Sequence, residues 1–323
     1  MPLAVGHDFE YVYVDQDPII WAGKKGEEGY SFASTLFNKR AKASTKKYKN
    51  ITLSELLGDS PLLNPTDNEW GPTSNNIVLL RKYASEITLN RAEKLLNYPN
   101  KFSDQIARKI HSALLLRDAI QSKRGHEEIT LYSGVSLVVR CGDANPRRLI
   151  TIFNNLLMEI PSSKYNKHHL SPRTQSKVLI TFSTTTLETI QSEEKYGHEL
   201  YDFIRDIGDY MNKSLYTQPL STDQISSIVI DKTISDTQWN LVKAAVGLGL
   251  LFPNISTANP NQLPERHGVF RLAYVLAPHF RLLPRKGKPV RISTIINYSK
   301  EKFLEPVKFQ MPLFSPNQEE ELQ

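Results

Sequence analysis

Between residues 76 and 211 apolar side chains recur every three or four positions, a spacing that gathers residues on one face only in a helix. Following Gly197, Leu200, Phe203, Ile204, Ile207 and Met211 form a single stripe. Val78, Leu79, Ile87, Leu89 and Leu95 fit helices over 76–96, and Ile106, Ile110, Ala113 and Leu114 continue the pattern over 103–123. A further periodic stretch covers 132–140, and a helix is expected from Pro146 to about Glu159. Ser171 and Pro172 stand as N-cap and first residue of a helix holding Val178, Leu179, Phe182, Leu187 and Ile190. Such a chain folds mainly as helices around shared cores. With 40% apolar and 23% charged residues it is neither disordered nor collagen-like. Its apolar runs, such as Ala113 to Leu116 and Leu248 to Phe252, are far shorter than the roughly 20 residues that span a bilayer. No membrane partner is expected.

Strand signals are sparse. Phe9 to Val14 is aromatic and branched and stops at Asp15-Gln16-Asp17-Pro18, so it reads as a strand whose neighbours must come from elsewhere. A helical spacing over Tyr30 to Lys42 and a short piece at Ser54 to Leu57 follow, and Asp59 to Thr73 reads as a boundary loop. Farther on, Ile225 to Ile230 reads as a strand. Ser235-Asp236-Thr237-Gln238 is a capping box that starts a helix over 236–248, burying Trp239, Val242 and Val246. A polar loop, Asn254 to Gly268, then leads into a strand from Val269 to Tyr274. Helix, strand, helix, strand with a long loop before the last is the order of a winged-helix module, which sets a helix and a wing against a duplex. The divisions expected are 1–75, a helical subdomain at 76–160, a connector and linker helix at 161–196, a winged-helix domain at 197–300, and a flexible tail at 301–323.

Cys141 is the only cysteine, so neither an intrachain disulfide nor a thiolate metal cluster forms, and no metal site is expected. The first residues carry acids and aromatics rather than a basic stretch and an apolar run, which implies a cytoplasmic protein without a secretory signal. Lys plus Arg exceeds Asp plus Glu by 40 − 34 = 6, and the excess is clustered. Lys39, Arg40, Lys42, Lys46, Lys47 and Lys49 form one acid-free block. A second runs from Arg266 to Lys300 and includes Arg271, Arg281, Arg285, Lys286, Lys288 and Arg291. A polyanionic partner and a merely solvated surface both account for such blocks.

Asn145-Pro146-Arg147-Arg148 carries the most chemistry. Asn145 suits an N-cap and Pro146 the first helical position, which puts both arginines in the first turn, where the helix dipole disfavours cations. Either an anion, usually phosphate, joins them there, or they face solvent or pair with a local acid such as Asp143. Pro284-Arg285-Lys286-Gly287-Lys288-Pro289 forms a basic turn before Val290-Arg291-Ile292, suited to phosphate contacts without sequence choice. Asn240 and Lys243 are the base readers available on the 236–248 helix. Catalytic constellations are missing: His168 and His169 lie in a polar connector, and the hydroxyls of Ser183 to Thr186 have no histidine nearby in the sequence.

Tyr132-Ser133-Gly134 followed by Gly142-Asp143-Ala144-Asn145-Pro146-Arg147-Arg148-Leu149-Ile150 resembles the lid of origin-recognition-type AAA+ ATPases. Gly208-Asp209-Tyr210, Gly249-Leu250-Leu251 and Phe270 to Phe280 are similar to the C-terminal winged-helix half of bacterial members of that clade. The resemblance covers roughly residues 76–300 and implies that 1–75 is the last part of the α/β ATPase core. It implies that Arg147, or else Arg148, is the sensor 2 arginine that touches the terminal phosphates of the nucleotide. The family's Walker A loop, G-x-x-x-x-G-K-[ST], has no counterpart. No Ser or Thr follows a Gly-Lys pair in Gly23-Lys24-Lys25-Gly26-Glu27-Glu28-Gly29, and Asp15 and Asp231 lack a second acid beside them. ATP and magnesium are therefore expected only if a P-loop segment or subunit completes the site, and the chain alone is not expected to hydrolyse ATP.

The expected function is nucleotide sensing and double-stranded DNA binding within an initiator-type ATPase. The alternative is a winged-helix protein-interaction module or regulatory subunit that does not bind DNA. Finally, Gln310-Met311-Pro312-Leu313-Phe314 is similar to the peptide by which bacterial repair and replication proteins dock on the sliding clamp, with Gln310, Leu313 and Phe314 as its anchors. A tail folded back on its own domain is the alternative.

Overall fold

Short polar residues placed ahead of apolar runs set where the helices begin. The Thr52 hydroxyl accepts from the Glu55 amide while the Glu55 carboxylate accepts from the Thr52 amide, a reciprocal cap. Thr73, Ser85 and Ser171 accept from the amides of Asn76, Thr88 and Thr174. The computed structural model describes residues 28–44, 51–63, 71–122, 130–160, 169–253 and 266–304. The strand expected at 9–14, most of the Gly23 to Gly29 segment, His168, and the tail anchors Gln310, Leu313 and Phe314 lie outside the described residues.

Within them the helices are α1 (Glu28–Ser44), α2 (Leu53–Leu57), α3 (Ser74–Tyr83), α4 (Glu86–Lys94), α5 (Pro99–Phe102), α6 (Arg108–Gln121), α7 (Val135–Cys141), α8 (Pro146–Met158), α9 (Pro172–Thr189), α10 (Gly197–Thr217), α11 (Asp236–Gly247) and α12 (Ile292–Leu304). The pattern over 76–96 divides in two because Ala84 is extended and Ser85 caps a new helix. A π-helical turn, Ser103–Ala107, precedes α6.

The strands are β1 (Ile225–Val229), β2 (Leu251–Pro253), β3 (Val269–Leu272) and β4 (Lys288–Arg291), in the order β2-β3-β1-β4. β3 runs antiparallel to both β1 and β2, with Ile228 opposite Phe270 and Phe252 opposite Arg271. β4 runs parallel to β1, with Val290 beside Ile228. The fold is thus mainly helical with one small mixed sheet.

β2 and β4 are not legible as strands from composition. β2 is three residues inside an apolar run. β4 reads as a basic turn, but the Lys288 amide donates to Gln224 O at 2.7 Å, and an edge position tolerates Pro289. β3 stops at Leu272, two residues short of the expected strand end at Tyr274, where a 3-10 turn (Tyr274–Leu276) begins, and α12 runs to Leu304, past the expected start of the tail.

A continuous apolar cluster joins the helices to the sheet. Leu200, Ile204, Ile207 and Met211 are buried, as their stripe requires. Phe37 meets Phe153 edge to face at 5.4 Å, fixing α1 on α8, and Arg40 donates to Asn154 Oδ1 beside them. Tyr132 is fully buried and donates to Leu282 O at 3.0 Å. Buried Gln175 donates to Leu57 O and Leu170 O and accepts from the Gly134 amide. No described helix is long and apolar enough to cross a membrane.

Gly134 sits at φ +90, and a Cβ there would lie 2.4 Å from the backbone of Ser60. Gly134→Ala should therefore cost more than about 2 kcal/mol, because strain and backbone overlap act together. Urea unfolding of the two proteins measures it.

Candidate functional site

The start of α8 is built as the sequence implies. Asn145 Oδ1 accepts from the amides of Arg147 (3.0 Å) and Arg148 (3.3 Å), and Pro146 occupies the first turn, where no amide is needed. Leu149, Ile152, Phe153 and Leu156 turn the apolar face of α8 inward. Arg147 is left exposed, and among the described residues its guanidinium makes no hydrogen bond or ion pair.

Arg148 turns the other way. Its Nη1 lies 3.4 Å from Asp143 Oδ2, and its Nη2 donates to Gly249 O at 2.9 Å, just past the end of α11. Burial lowers its pKa, an effect that Asp143 opposes and Arg271 reinforces. The two arginines are therefore not equivalent: one ties α8 to the 248–250 turn, and the other faces solvent at the positive end of a helix.

Asp143 is the hinge of this arrangement. Its side chain has no solvent exposure. Oδ1 accepts from Arg271 Nη1 (2.9 Å) and the Tyr274 amide (3.0 Å), and Oδ2 from the Val275 amide (2.9 Å). Arg271 is stacked against the rings of Phe252 and Tyr274, each 4.1 Å from its guanidinium carbon. Asp143 and Ala144 adopt φ values of +50 and +55, a left-handed turn that residues with a Cβ take only where their surroundings hold it. The bonds to Asp143 supply that hold. In the sequence Asp143 reads only as a local acid for the arginines. Its link to Arg271 spans 128 residues and has no local signal.

Of the cations in the basic turn, Lys286, Lys288 and Arg291 are exposed. Arg285 is drawn inward, and its Nη2 donates to the Lys109 carbonyl. On α11, Lys243 is exposed and Asn240 half-buried. α11 packs beside β2, whereas β4 is the opposite edge of the sheet, so Asn240 and Lys243 are not brought together with the basic turn. Arg266 is paired with Asp236 at 2.8 Å.

Asp231, His169 and His279 have structural partners. Asp231 accepts from the amides and hydroxyls of Thr233 and Ser293. Burial pushes its carboxyl up, but these hydrogen bonds outweigh it and hold the pKa below the usual range. His169 lies against Glu55 O at 3.3 Å. Around Ser183 to Thr186 the structure does bring a histidine close, contrary to the sequence reading. His279 Nδ1 is 2.9 Å from Thr184 Oγ1, and its amide donates to Ser183 Oγ, because the 274–280 segment folds onto α9. Burial lowers the pKa of that imidazole, although Asp209 and Glu188 act against it. Among the described residues no group of three or more His, Cys, Asp or Glu side chains could hold a metal ion.

A sequence model of the ORC-CDC6-like family matches residues 2–292. The chain belongs to the ORC-CDC6-like family. No curated protein and no solved structure matches it. As an ORC-CDC6-like chain it is a relative of origin-recognition and initiator-type AAA+ proteins, a family that usually binds ATP and magnesium. Among the described residues Arg147 is an exposed cation in the first turn of a helix, of the kind that can meet a phosphate. Of the two strand-end acids that lack the second acid of a magnesium-holding motif, Asp231 is engaged with Thr233 and Ser293 and Asp15 lies outside the described residues.

Proposed function

We propose that this chain is the nucleotide-sensing lid and winged-helix DNA-binding portion of an initiator-type AAA+ ATPase, working in the cytoplasm with a P-loop supplied by another segment or subunit. The observation that carries the first half is the contrast at α8: Arg148 is engaged by Asp143 and Gly249, while Arg147 stands exposed beside a capped helix N-terminus. Phosphate is the ligand that such a position favours. The second half rests on the strand order β2-β3-β1, with α11 entering β2 and residues 254–268 joining β2 to β3. Lys286, Lys288 and Arg291 are the phosphate contacts of this reading, and Lys243 and Asn240 the contacts from α11. Clamp docking through Gln310, Leu313 and Phe314 is a separate proposal that rests on the tail motif alone.

Arg147 tests the sensing role. In a complex that provides a Walker A loop, Arg147→Ala should lower ATP turnover by about 100-fold, the usual effect of removing one donor from developing phosphate charge. The isolated chain should show no turnover with or without the substitution. Turnover at the wild-type rate in the substituted complex would remove Arg147 from the site. Salt dependence separates DNA binding from the protein-interaction alternative, since log affinity falls steeply with log salt for phosphate contacts but not for an apolar interface.

A further inference from the structure

Arg285 leaves the face on which Lys286 and Lys288 stand and turns into the seam between α6, the 272–274 segment and β1. The one hydrogen bond of its guanidinium among the described residues runs from Nη2 to the Lys109 carbonyl. Arg140 approaches the same segment, with Nη1 3.4 Å from Pro284 O and Nε buried without a partner. Burial and the neighbouring Arg140 both lower the Arg285 pKa, the mark of a cation drawn out of water beside another cation. Among the described residues neither arginine has a carboxylate partner, and Asp143, the acid at this junction, is committed to Arg148 and Arg271. Withdrawn positive charge without a counter-charge is costly, and a bound anion removes that cost.

The seam also holds a place for one. Arg285 borders a cavity whose lining includes the polar residues Ser214, Gln224, Ser226 and Tyr274 and is otherwise mostly apolar, and no Asp or Glu among the described residues lines it. Ser226 Oγ is buried and makes no hydrogen bond. Gly287 explains how the basic turn reaches this seam: a Cβ there would lie 2.6 Å from Ser226 Oγ and 2.2 Å from Gln224 O, so only a glycine lets the turn settle onto the start of β1. The apolar wall limits water and strengthens any charge-assisted hydrogen bond formed beside it.

We propose that Arg285 and Ser226, backed by the charge of Arg140, bind a phosphate group in this seam. A guanidinium fork matches two phosphate oxygens, and the serine hydroxyl donates to a third. The site goes beyond the proposed function, because it needs neither nucleotide at Arg147 nor a duplex on the exposed lysines. The phosphate is either free or part of a nucleic-acid backbone, and the chemistry of recognition is the same.

Thermal unfolding of the whole chain, in chloride and in about 10 mM inorganic phosphate at equal ionic strength, is the direct test. Phosphate should raise Tm by about 3 °C. Arg285→Gln should abolish the rise, and Arg140→Gln and Ser226→Ala should reduce it by about half. Ser226→Ala keeps the test open should Arg285→Gln fail to fold, since the Ser226 hydroxyl has no partner to lose. A short duplex in place of phosphate identifies the source: a larger, Ser226-dependent rise with duplex assigns the phosphate to a backbone, and a larger rise with free phosphate assigns it to a small ligand. Changing Lys286, Lys288 and Arg291 to Glu should leave the free-phosphate rise intact, which separates this site from the duplex contacts. A Tm unmoved by either addition, or a rise that survives both Ser226→Ala and Arg285→Gln, overturns the proposal.

Discussion

Asp143→Ala should destabilise the folded chain by about 3–5 kcal/mol, the largest effect expected of any single substitution at the site. Four distinct groups lose their acceptor together: the guanidinium groups of Arg271 and Arg148 and the amides of Tyr274 and Val275. Arg271 is itself only 4% exposed, so water cannot readily replace the carboxylate. The left-handed pair Asp143 and Ala144 would also lose the contacts that hold it. Asp143→Asn keeps the shape and removes the charge, and it should recover only part of the loss. Combining it with Arg271→Met should restore more, because the more deeply buried of the two guanidinium groups facing residue 143 is then gone. Denaturant unfolding of the three variants reports each step. A loss below about 1 kcal/mol for Asp143→Ala would mean that the junction is not where the chain stores its stability.

Reversing Lys286, Lys288 and Arg291 to Glu should weaken duplex binding by about 100-fold at low salt, equally for unrelated sequences. Each lost phosphate contact also removes about one unit from the slope of log affinity against log salt, so the salt dependence should flatten as the affinity falls. All of these side chains are exposed, so the fold should be unaffected. Fluorescence anisotropy across a salt series measures both quantities, and circular dichroism checks the fold. Arg285 is left out of this set because it faces the seam, and its replacement would confound binding with stability. Unchanged affinity in the triple variant would favour a protein partner over DNA.

What the sequence makes legible follows the range of the interaction. Caps and stripes act within a turn or two, so the helices beginning after Asn145, Ser171 and Ser235 start where the sequence places their caps, whereas the caps at Thr52, Thr73 and Ser85 are found only in the structure. β1 and β3 also follow from their branched and aromatic residues. β4 does not, because Lys288 and Pro289 carry no strand signal and the pairing depends on β1, some sixty residues earlier. The same holds at the site. The Asn145 cap and the exposure of Arg147 follow from local rules, whereas the separate fate of Arg148 depends on Gly249 and that of Asp143 on Arg271. The inward turn of Arg285 is likewise invisible from composition, since nothing in Pro284 to Pro289 distinguishes it from the lysines beside it.

β4 has a second consequence, for self-association. Among the described residues no strand pairs with its outer side, which leaves backbone groups that another copy of the chain could pair with. Lys288, Pro289 and Arg291 stand along that edge, and Pro289 has no N–H to offer while the two cations repel a like strand. The cations assigned to a duplex thus also act as gatekeepers against aggregation. Glutamates in their place keep that guard, whereas alanines remove it, so an alanine version of the triple variant should form concentration-dependent assemblies that the glutamate version does not.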